Sequence, residues 1–272
     1  ENVETMNEYM QAFNQPVSTI ELNQGTYANT GFTQWGASGL AVAWAEENTR
    51  DSIFKAFKRK ETFATSGPRI AVRFFGGYNL SSIDLNSDSL VSEAYKKGVT
   101  MGADLMNDDN KTPEFIVWAQ KDKNGAPLQR VQIVKGWMDS VSGRPYEKVY
   151  DVACSDGLEV DPLTNRCPDN GARVNISDCS IPQNIGSSEL KTVWQDPEFN
   201  SKDKSFYYVR VLENPTCRWS TWDAISRGFE AREDLHETIQ ERAWSSPIWY
   251  VPQKTGVEVI PLGGSIQLRS AD

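Results

Sequence analysis

The sequence has one histidine, His236, in 272 residues. Hydrolase sites with two or three metal ions draw heavily on neutral imidazole ligands, so this scarcity excludes such a site built from this chain alone. His236 lies in the polar run AREDLHETIQER, which predicts a surface helix position and not a metal ligand. We therefore expect no transition-metal centre made by these residues only.

Basic residues are in the minority, because 28 lysines and arginines stand against 37 aspartates and glutamates, for a formal net charge of −9. A protein that wraps a nucleic-acid backbone needs clustered Lys and Arg, so the composition argues against nucleic acid as a partner. Long apolar runs are absent too, since no window approaches the roughly 20 residues of a membrane span. The first residues, ENVETMNEYM, lack an initiator methionine and a signal-peptide profile, so we expect the natural start to lie upstream.

The four cysteines contain no C-x-x-C pair, so the spacing of a zinc knuckle is missing. Disulfides in an exported protein are the favoured interpretation, and free buried thiols in a cytosolic protein are the alternative. Four cysteines allow three pairings, of which we favour Cys154 with Cys167 and Cys179 with Cys217. The expected location is then periplasmic or extracellular.

With 39% hydrophobic residues, the chain is long enough for one or two domains with a substantial core. LAVAWA (40–45) is a continuous apolar run of strand length, typical of a strand buried on both faces by crossover helices. A helix is predicted to follow at once, capped by Asn48 or Thr49. ETFAT (61–65) then predicts a second short strand.

Beyond Pro68 the hydrophobic period changes from 3.6 to 2 residues, the period of β-strands. This alternation predicts a mostly antiparallel β-sandwich, interrupted by a helix at LVSEAYKKG and a polar helix near 231–242. We place a rigid boundary within 66–78, so that 1–70 and 71–272 form two parts. Strands are predicted at RIAVRFF, PEFIVWAQ, LQRVQIVKGW, EKVYDVA, SFYYVRVLE, SSPIWYVP and GVEVIPL.

Long uninterrupted phrases over nearly the whole chain resemble the bacterial family catalogued as domain of unknown function 3604. They include GFTQWGASGLAVAWAEENTRDSIFKAFKRKETFATSGPRI, YYVRVLENPTCRWSTWDA and ERAWSSPIWY. That family in turn resembles the polymerase and histidinol phosphatase (PHP) group of metal-dependent hydrolases, a distorted (β/α)7 barrel with His, Asp and Glu ligands. The resemblance implies that residues 1–70 are an α/β barrel C-terminal remnant, its last strand, helix and strand, followed by an accessory sandwich.

Full-length relatives carry a G-D-T-H-x-H-type motif and a later D-T-H-type motif that supply metal ligands, and neither occurs in this chain. The resemblance therefore implies that the N-terminal, ligand-bearing barrel portion lies upstream of Glu1 and is the partner of these residues. It also implies divalent metals (Zn, Mn or Fe) in the full-length protein, with none bound by this chain alone.

Glu46, Glu47 and Asn48 stand where the predicted LAVAWA strand ends. In α/β barrels the C-terminal ends of the strands line the active site, so we expect one of these side chains, with Trp44 or Trp35, to border a substrate pocket. The alternative is that these polar residues only cap the following helix.

Three further candidates lie in glycine-containing loops. Ser38 in TQWGASG can approach a ligand closely, although G-A-S-G-L lacks the G-x-S-x-G spacing of a nucleophile. Ser66 and Arg69 in TSGPR could hold a phosphate or sulfate oxyanion, Arg69 through its forked guanidinium. A turn with a surface salt bridge is the favoured interpretation of the same two residues.

The acidic loop DVACSDGLEVDPLTNRCPDNG offers oxygen ligands of the kind that Ca2+ prefers. It does not match D-x-[DN]-x-[DN]-G, and polar turns stapled by disulfides explain the same composition. The candidate calcium ligands are Asp151, Asp156, Asp161, Asn165 and Asp169.

Trp219, Trp222, Trp244 and Trp249 could stack on sugar rings, although such residues more often pack a sandwich core. Two classes of function are therefore expected. The first is the C-terminal portion of a PHP-like metal-dependent hydrolase of phosphoesters, sulfate esters or related bonds, with a small-molecule ester as substrate. The alternative is a noncatalytic β-sandwich module that binds a glycan or a protein partner.

Overall fold

The computed structural model describes residues 19–23, 25–28 and 38–252, and the backbone of two strands within 257–270. Strands dominate this part of the chain and most of them pair antiparallel, so the β-rich fold predicted from the two-residue alternation is confirmed.

The described residues form the following strands and helices, numbered in chain order. The strands are β1 (Thr19–Leu22), β2 (Gly25–Ala28), β3 (Leu40–Ala43), β4 (Thr62–Thr65), β5 (Ala71–Gly77), β6 (Gly98–Thr100), β7 (Asp104–Met106), β8 (Glu114–Gln120), β9 (Leu128–Met138), β10 (Pro145–Cys154), β11 (Glu189–Gln195), β12 (Lys204–Glu213), β13 (Thr216–Cys217), β14 (Thr238–Ile239), β15 (Arg242–Ser245), β16 (Ile248–Val251), β17 (Val257–Leu262) and β18 (Ser265–Ser270). The α-helices are α1 (Arg50–Arg59), α2 (Leu90–Lys97) and α3 (Trp219–Arg227), with one 3-10 turn at Leu80–Ser82.

Two sheets form the body of the protein. The larger one runs in the order β10–β9–β12–β15–β4–β3, and β16 extends it by pairing with β12 and, in parallel, with β7. The smaller one runs in the order β11–β8–β5–β6. Three two-stranded sheets of the described residues, β1–β2, β13–β14 and β17–β18, lie outside these two sheets.

The two sheets pack face to face around a shared apolar core. Tyr207, Val209 and Val211 occupy alternate positions of β12 and are fully buried, as are Phe115 and Val117 of β8. The ring centroids of Phe115 and Tyr207 are 4.4 Å apart. Burying one such side chain stabilises the fold by about 2–3 kcal/mol. The two-residue alternation therefore determines which face of each strand packs against the other sheet.

Helix α2 forms a third layer on the outer face of the smaller sheet. Its Leu90 and Ala94 pack with Phe75, Leu80 and Ile116 in a second buried cluster. The helix predicted at LVSEAYKKG is thus confirmed. Within the described part of the chain, no helix has the length and apolar character needed to cross a membrane.

The predicted strand, helix and strand after residue 40 occur as β3, α1 and β4, but the pairing differs from a barrel. β3 and β4 are antiparallel neighbours, with Leu40 opposite Thr65, whereas a crossover between barrel strands requires parallel ones. β3 also lies at the sheet edge, where Leu40 is 38% exposed. The expectation of a strand buried on both faces is wrong, because a short apolar run does not itself reveal its neighbours.

The predicted boundary between 1–70 and 71–272 falls between β4 and β5. β4 pairs with β15, with Ala64 opposite Trp244, so strands from both sides of this position belong to one sheet. The described residues therefore share a continuous hydrogen-bonded network across the predicted boundary.

The polar segment 155–188 is tied to the sandwich by two disulfides. Cys154 bonds to Cys167 and Cys179 bonds to Cys217, with the Cα atoms 5.6 Å apart in each pair. The pairing favoured from the sequence is confirmed. Two disulfides are compatible with a location outside the cytoplasm.

The prediction of a polar helix at 231–242 is wrong. This segment forms turns and the strand β14, and His236 is exposed outside any helix. Its charged residues provide no apolar stripe that could bury one helix face. The helix of this region is α3 instead, which ends at Gly228 in the left-handed conformation typical of a C-cap.

Candidate functional site

A pocket of about 650 Å³ opens where the end of β3, the start of β4, β5 and the α2–β6 junction meet. We call it the Glu61 pocket, after the carboxylate at its centre. It is lined by Trp44, Ala45, Glu46, Arg59, Glu61, Arg73, Tyr95, Gly98, Val99, Thr100 and Ala103.

Glu61 is buried and accepts hydrogen bonds from several sides. The hydroxyl groups of Tyr95 and Thr100 both donate to Oε1, the latter over 3.2 Å. Arg59 Nε donates to Oε2 over 3.3 Å, and Arg73 Nη1 lies 3.7 Å from Oε1. A buried carboxylate is stable only when paired and hydrogen-bonded, and this one satisfies both conditions.

The end of α1 directs Glu61 into the pocket. Lys60 adopts φ 57°, the left-handed conformation that ends a helix, and the N–H of Glu61 then bonds back to the carbonyl of Ala56 over 3.1 Å. The carbonyl of Glu61 accepts from the N–H of Trp44 over 3.0 Å. The helix end and the β3 end are thereby fixed to each other.

Arg73 comes from β5 and packs over Trp44, with the guanidinium carbon 3.6 Å from the ring centroid. Its Nη1 donates to the Tyr95 hydroxyl over 2.8 Å. Among the described residues, no group accepts a hydrogen bond from its Nε or Nη2. The side chain is 21% exposed, so these N–H groups are accessible to a ligand.

A smaller cavity of about 260 Å³ adjoins the other side of Arg73. It shares Trp44 and Arg73 with the Glu61 pocket and adds Val91, Trp118 and Gln120. The arginine therefore stands between two openings, with aromatic rings on both sides. Such a setting presents a forked donor to a planar or tetrahedral oxyanion.

Tyr95 keeps its proton at neutral pH. Burial, reinforced by the hydrogen bond to Glu61, raises the pKa of the Tyr95 hydroxyl to about 12, although the positive charge of Arg73 opposes this shift. The hydroxyl can therefore act as a donor to Glu61 and not as a base.

Two of the residues predicted from the sequence line the Glu61 pocket. Trp44 stacks on Arg73, and its indole N–H donates to the Val72 carbonyl over 2.8 Å. Glu46 lies at the rim, with its carboxylate 3.5 Å from Arg59 Nη2. The structure thus places Trp44 and Glu46 in the same pocket.

The other residues of the EEN segment serve the start of α1. Thr49 is the N-cap of α1, because its side chain accepts a hydrogen bond from the N–H of Ser52. Of the two N-cap candidates, Asn48 and Thr49, the structure has Thr49. The N–H of Glu47 donates to the Ser52 hydroxyl over 3.1 Å. Glu46 and Glu47 also border a separate groove of about 590 Å³ at this helix start, which Asn48 does not line.

Ser38, Ser66 and Arg69 do not line the Glu61 pocket. The Ser66 hydroxyl donates to the carboxylate of Glu241, and a second anion there would be repelled. The N–H of Arg69 donates to Asp122 over 2.6 Å, and Ser38 is exposed. Trp35 lies outside the described residues.

The candidate calcium ligands have protein partners. Asn165 has a left-handed backbone, and its carbonyl accepts from the N–H of Asp151 over 3.0 Å. Among the described residues, no group of three or more His, Cys, Asp or Glu side chains could hold a metal ion. Each carboxylate accepts from at least one backbone N–H group, that of Cys167 for Asp151, Gly186 for Asp156, Leu163 for Asp161 and Gly171 for Asp169.

The sequence interpretation missed the charged centre of the pocket. Glu61 is an acidic residue directly after the basic run FKRK, and Arg73 is a charged residue inside the apolar strand AVRFFGG. A charged residue inside an apolar strand predicts a buried partner of opposite charge. Arg73 is therefore the residue from which the centre of this pocket could be predicted. Tyr95 and Thr100 carried no such signal, because only the fold brings α2 and β6 to β4.

The fold and the pocket define a β-rich protein with a buried carboxylate and an accessible arginine at one sheet edge. The family model described as Protein of unknown function (DUF3604) matches residues 4–252. The chain belongs to this family. Comparisons with curated proteins and with solved structures find no match.

Proposed function

We propose that this chain is the C-terminal portion of a PHP-like metal-dependent hydrolase of phosphoesters, sulfate esters or related bonds. In this proposal the Glu61 pocket binds the anionic group of a small-molecule ester. The chain supplies the pocket wall and a supporting sandwich, and its partner is the N-terminal barrel portion of the same protein. We place the protein in the periplasm or outside the cell.

Arg73 is the observation that carries this proposal. Its Nε and Nη2 have no acceptor among the described residues, and its forked N–H groups match the spacing of phosphate and sulfate oxygens. The Trp44 ring packs against the guanidinium and limits its movement. A charge-assisted hydrogen bond of this type is worth about 1.5–3 kcal/mol.

Glu61 and Tyr95 act as positioning residues for Arg73. Glu61 balances one of the two guanidinium charges in the pocket, which lowers the cost of holding Arg59 and Arg73 near each other. The protonated Tyr95 hydroxyl links Glu61 to Arg73 Nη1. The arginine is therefore held in place before the ligand arrives, so less conformational entropy is lost on binding.

The described residues do not fit a catalytic metal centre, since no group of suitable side chains converges. In the proposal the Zn, Mn or Fe ions belong to the barrel portion, and this chain contributes substrate binding. The role of the Glu61 pocket is to orient the ester.

We expect Arg73→Met in the whole protein to raise KM about 30-fold for its best phosphate or sulfate ester, since about 2 kcal/mol of binding is lost. We expect kcat to change less than about threefold, because the interaction exists before the transition state as well. The measurement is steady-state turnover of a panel of aryl phosphates and aryl sulfates. Arg69→Met is the matched control and should behave as wild type.

Two results would count against this proposal. Equal KM values for wild type and Arg73→Met would remove the arginine from the substrate site. Failure of the whole protein to hydrolyse any ester of the panel, with metal supplied, would remove the hydrolase assignment itself.

A further inference from the structure

A second and larger groove, of about 910 Å³, lies where β9, β10, β12 and β16 meet and shares no lining residue with the Glu61 pocket. We call it the aromatic groove. It is lined by Asp104, Gly136, Trp137, Met138, Pro145, Tyr146, Glu147, Lys204, Ser205, Phe206, Trp249, Tyr250 and Val251.

The ring of Phe206 lies directly over the backbone of Gly136. A Cβ atom at position 136 would come within 2.3 Å of this ring, so only glycine leaves room for it. Trp249, on the neighbouring strand, has its ring centroid 5.1 Å from that of Phe206 at an interplanar angle of 48°. The two rings form a continuous aromatic surface.

A second aromatic pair borders the same groove. Trp137 and Tyr146 are directly opposite each other on β9 and β10, with ring centroids 5.5 Å apart and an interplanar angle of 23°. Tyr146 is 47% exposed and Trp249 is 45% exposed. Trp249 is therefore not a core residue, which corrects the expectation that sandwich packing accounts for it.

Charged side chains border these rings. Asp104, Glu147 and Lys204 line the groove, are exposed, and have no ion-pair or hydrogen-bond partner for their side chains among the described residues. The rim thus offers two carboxylates that accept hydrogen bonds and one ammonium group that donates them.

We infer that the aromatic groove binds a neutral oligosaccharide. The C–H faces of pyranose rings are apolar and pack on aromatic rings, while their hydroxyl groups hydrogen-bond to charged side chains at the edge. The aromatic floor and polar rim of this groove offer both kinds of contact. One positive and two negative groups on the rim disfavour an acidic glycan.

A protein partner fits the groove less well. The central part of a protein interface is depleted of charged residues, since each buried charge must find a partner. Asp104, Glu147 and Lys204 line the groove together with these rings, and a protein surface laid across it would have to desolvate them. Hydroxyl groups of a sugar can satisfy these side chains without burying a counter-ion.

The test is calorimetric titration of the whole protein with neutral gluco-, xylo-, manno- and chito-oligosaccharides. We expect binding of at least one series, and at least a tenfold loss of affinity in Trp249→Ala and in Phe206→Ala. Trp222→Ala is the matched control, because this tryptophan of α3 is 51% exposed and does not line the groove. Thermal unfolding of each variant checks that it is folded.

Several outcomes would overturn the inference. These are no binding of any neutral oligosaccharide, equal affinities in wild type and Trp249→Ala, or an equal loss in Trp222→Ala. Self-association that Trp249→Ala abolishes, without sugar binding, would show that a second copy occupies the groove. Arg73 does not line the aromatic groove, so Arg73→Met should leave the sugar affinity unchanged.

Discussion

Lys135→Ala should lower the free energy of unfolding by about 3–5 kcal/mol, because it leaves a buried carboxylate without its cation. Lys135 Nζ lies 2.6 Å from Asp196 Oδ2 between the two sheets, with side chains 4% and 0% exposed. The ammonium group also donates to the Glu198 carbonyl over 2.8 Å. Tyr207 donates its hydroxyl to the same Asp196 oxygen over 2.7 Å and cannot replace the lost charge.

The measurement is urea-induced unfolding of wild type and variants at neutral pH. Lys148→Ala is the control, since Lys148 and Glu198 form a partly exposed pair and such pairs contribute about 1 kcal/mol or less. We expect Lys135→Met combined with Asp196→Leu to recover much of the loss, because neither charge is then buried alone. Equal losses of unfolding free energy for Lys135→Ala and Lys148→Ala would show that the buried ion pair matters no more to stability than the partly exposed one.

The wild type should become less stable as the pH rises, and Glu213→Gln should abolish most of this pH dependence. Burial, then the negative charges of Glu241 and Asp122, raise the pKa of Glu213 to about 8. Its Oε1 is buried without a hydrogen-bond partner among the described residues. The folded protein therefore holds this proton more tightly than the unfolded chain does.

The sign of the effect follows from this linkage. A pKa raised on folding stabilises the protein below the ordinary glutamate value, and the contribution disappears as the pH rises through about 8. Between pH 5 and 8 the loss is on the order of 4 kcal/mol, since each pKa unit is worth about 1.4 kcal/mol. Carboxylates with lowered pKa values, such as Asp122 and Asp139, act in the opposite direction and mainly below this window.

Unfolding free energies measured at pH 5, 6, 7 and 8 check this prediction. The difference in unfolding free energy between Glu213→Gln and wild type should increase steadily in favour of the variant. Glu147→Gln, an exposed change of the same type, is the control, and the increase should be larger for Glu213→Gln than for this variant. A constant difference for Glu213→Gln would mean that Glu213 is ionised throughout.

The sequence predicts this fold best where local pattern and tertiary pairing agree. The alternation in SFYYVRVLE and PEFIVWAQ predicts strands, and the structure has β12 and β8 there, each with one face in the core. The apolar stripe of LVSEAYKKG likewise becomes α2, packed on the smaller sheet. These residues reveal their burial through their own spacing.

Pairing partners and the centre of the site depend on distant residues, and there the local pattern is insufficient. LAVA has the composition of a central strand, yet β3 is an edge strand because no strand pairs with its other side in the described sheet. Glu61, Arg73 and Tyr95 come from three elements that meet only after the two sheets and α2 have packed. The spacing of these three residues in the sequence does not indicate that their side chains lie close together in the fold.

Calorimetric titration of inorganic phosphate and sulfate, on whole protein from which metals have been removed by a chelator, tests the central claim most directly. The absence of metals leaves the arginine pocket as the proposed anion site. The account predicts binding of one anion that Arg73→Met weakens at least tenfold and Arg69→Met leaves unchanged. Anion binding that is the same in wild type and Arg73→Met, or no binding at all, would contradict it.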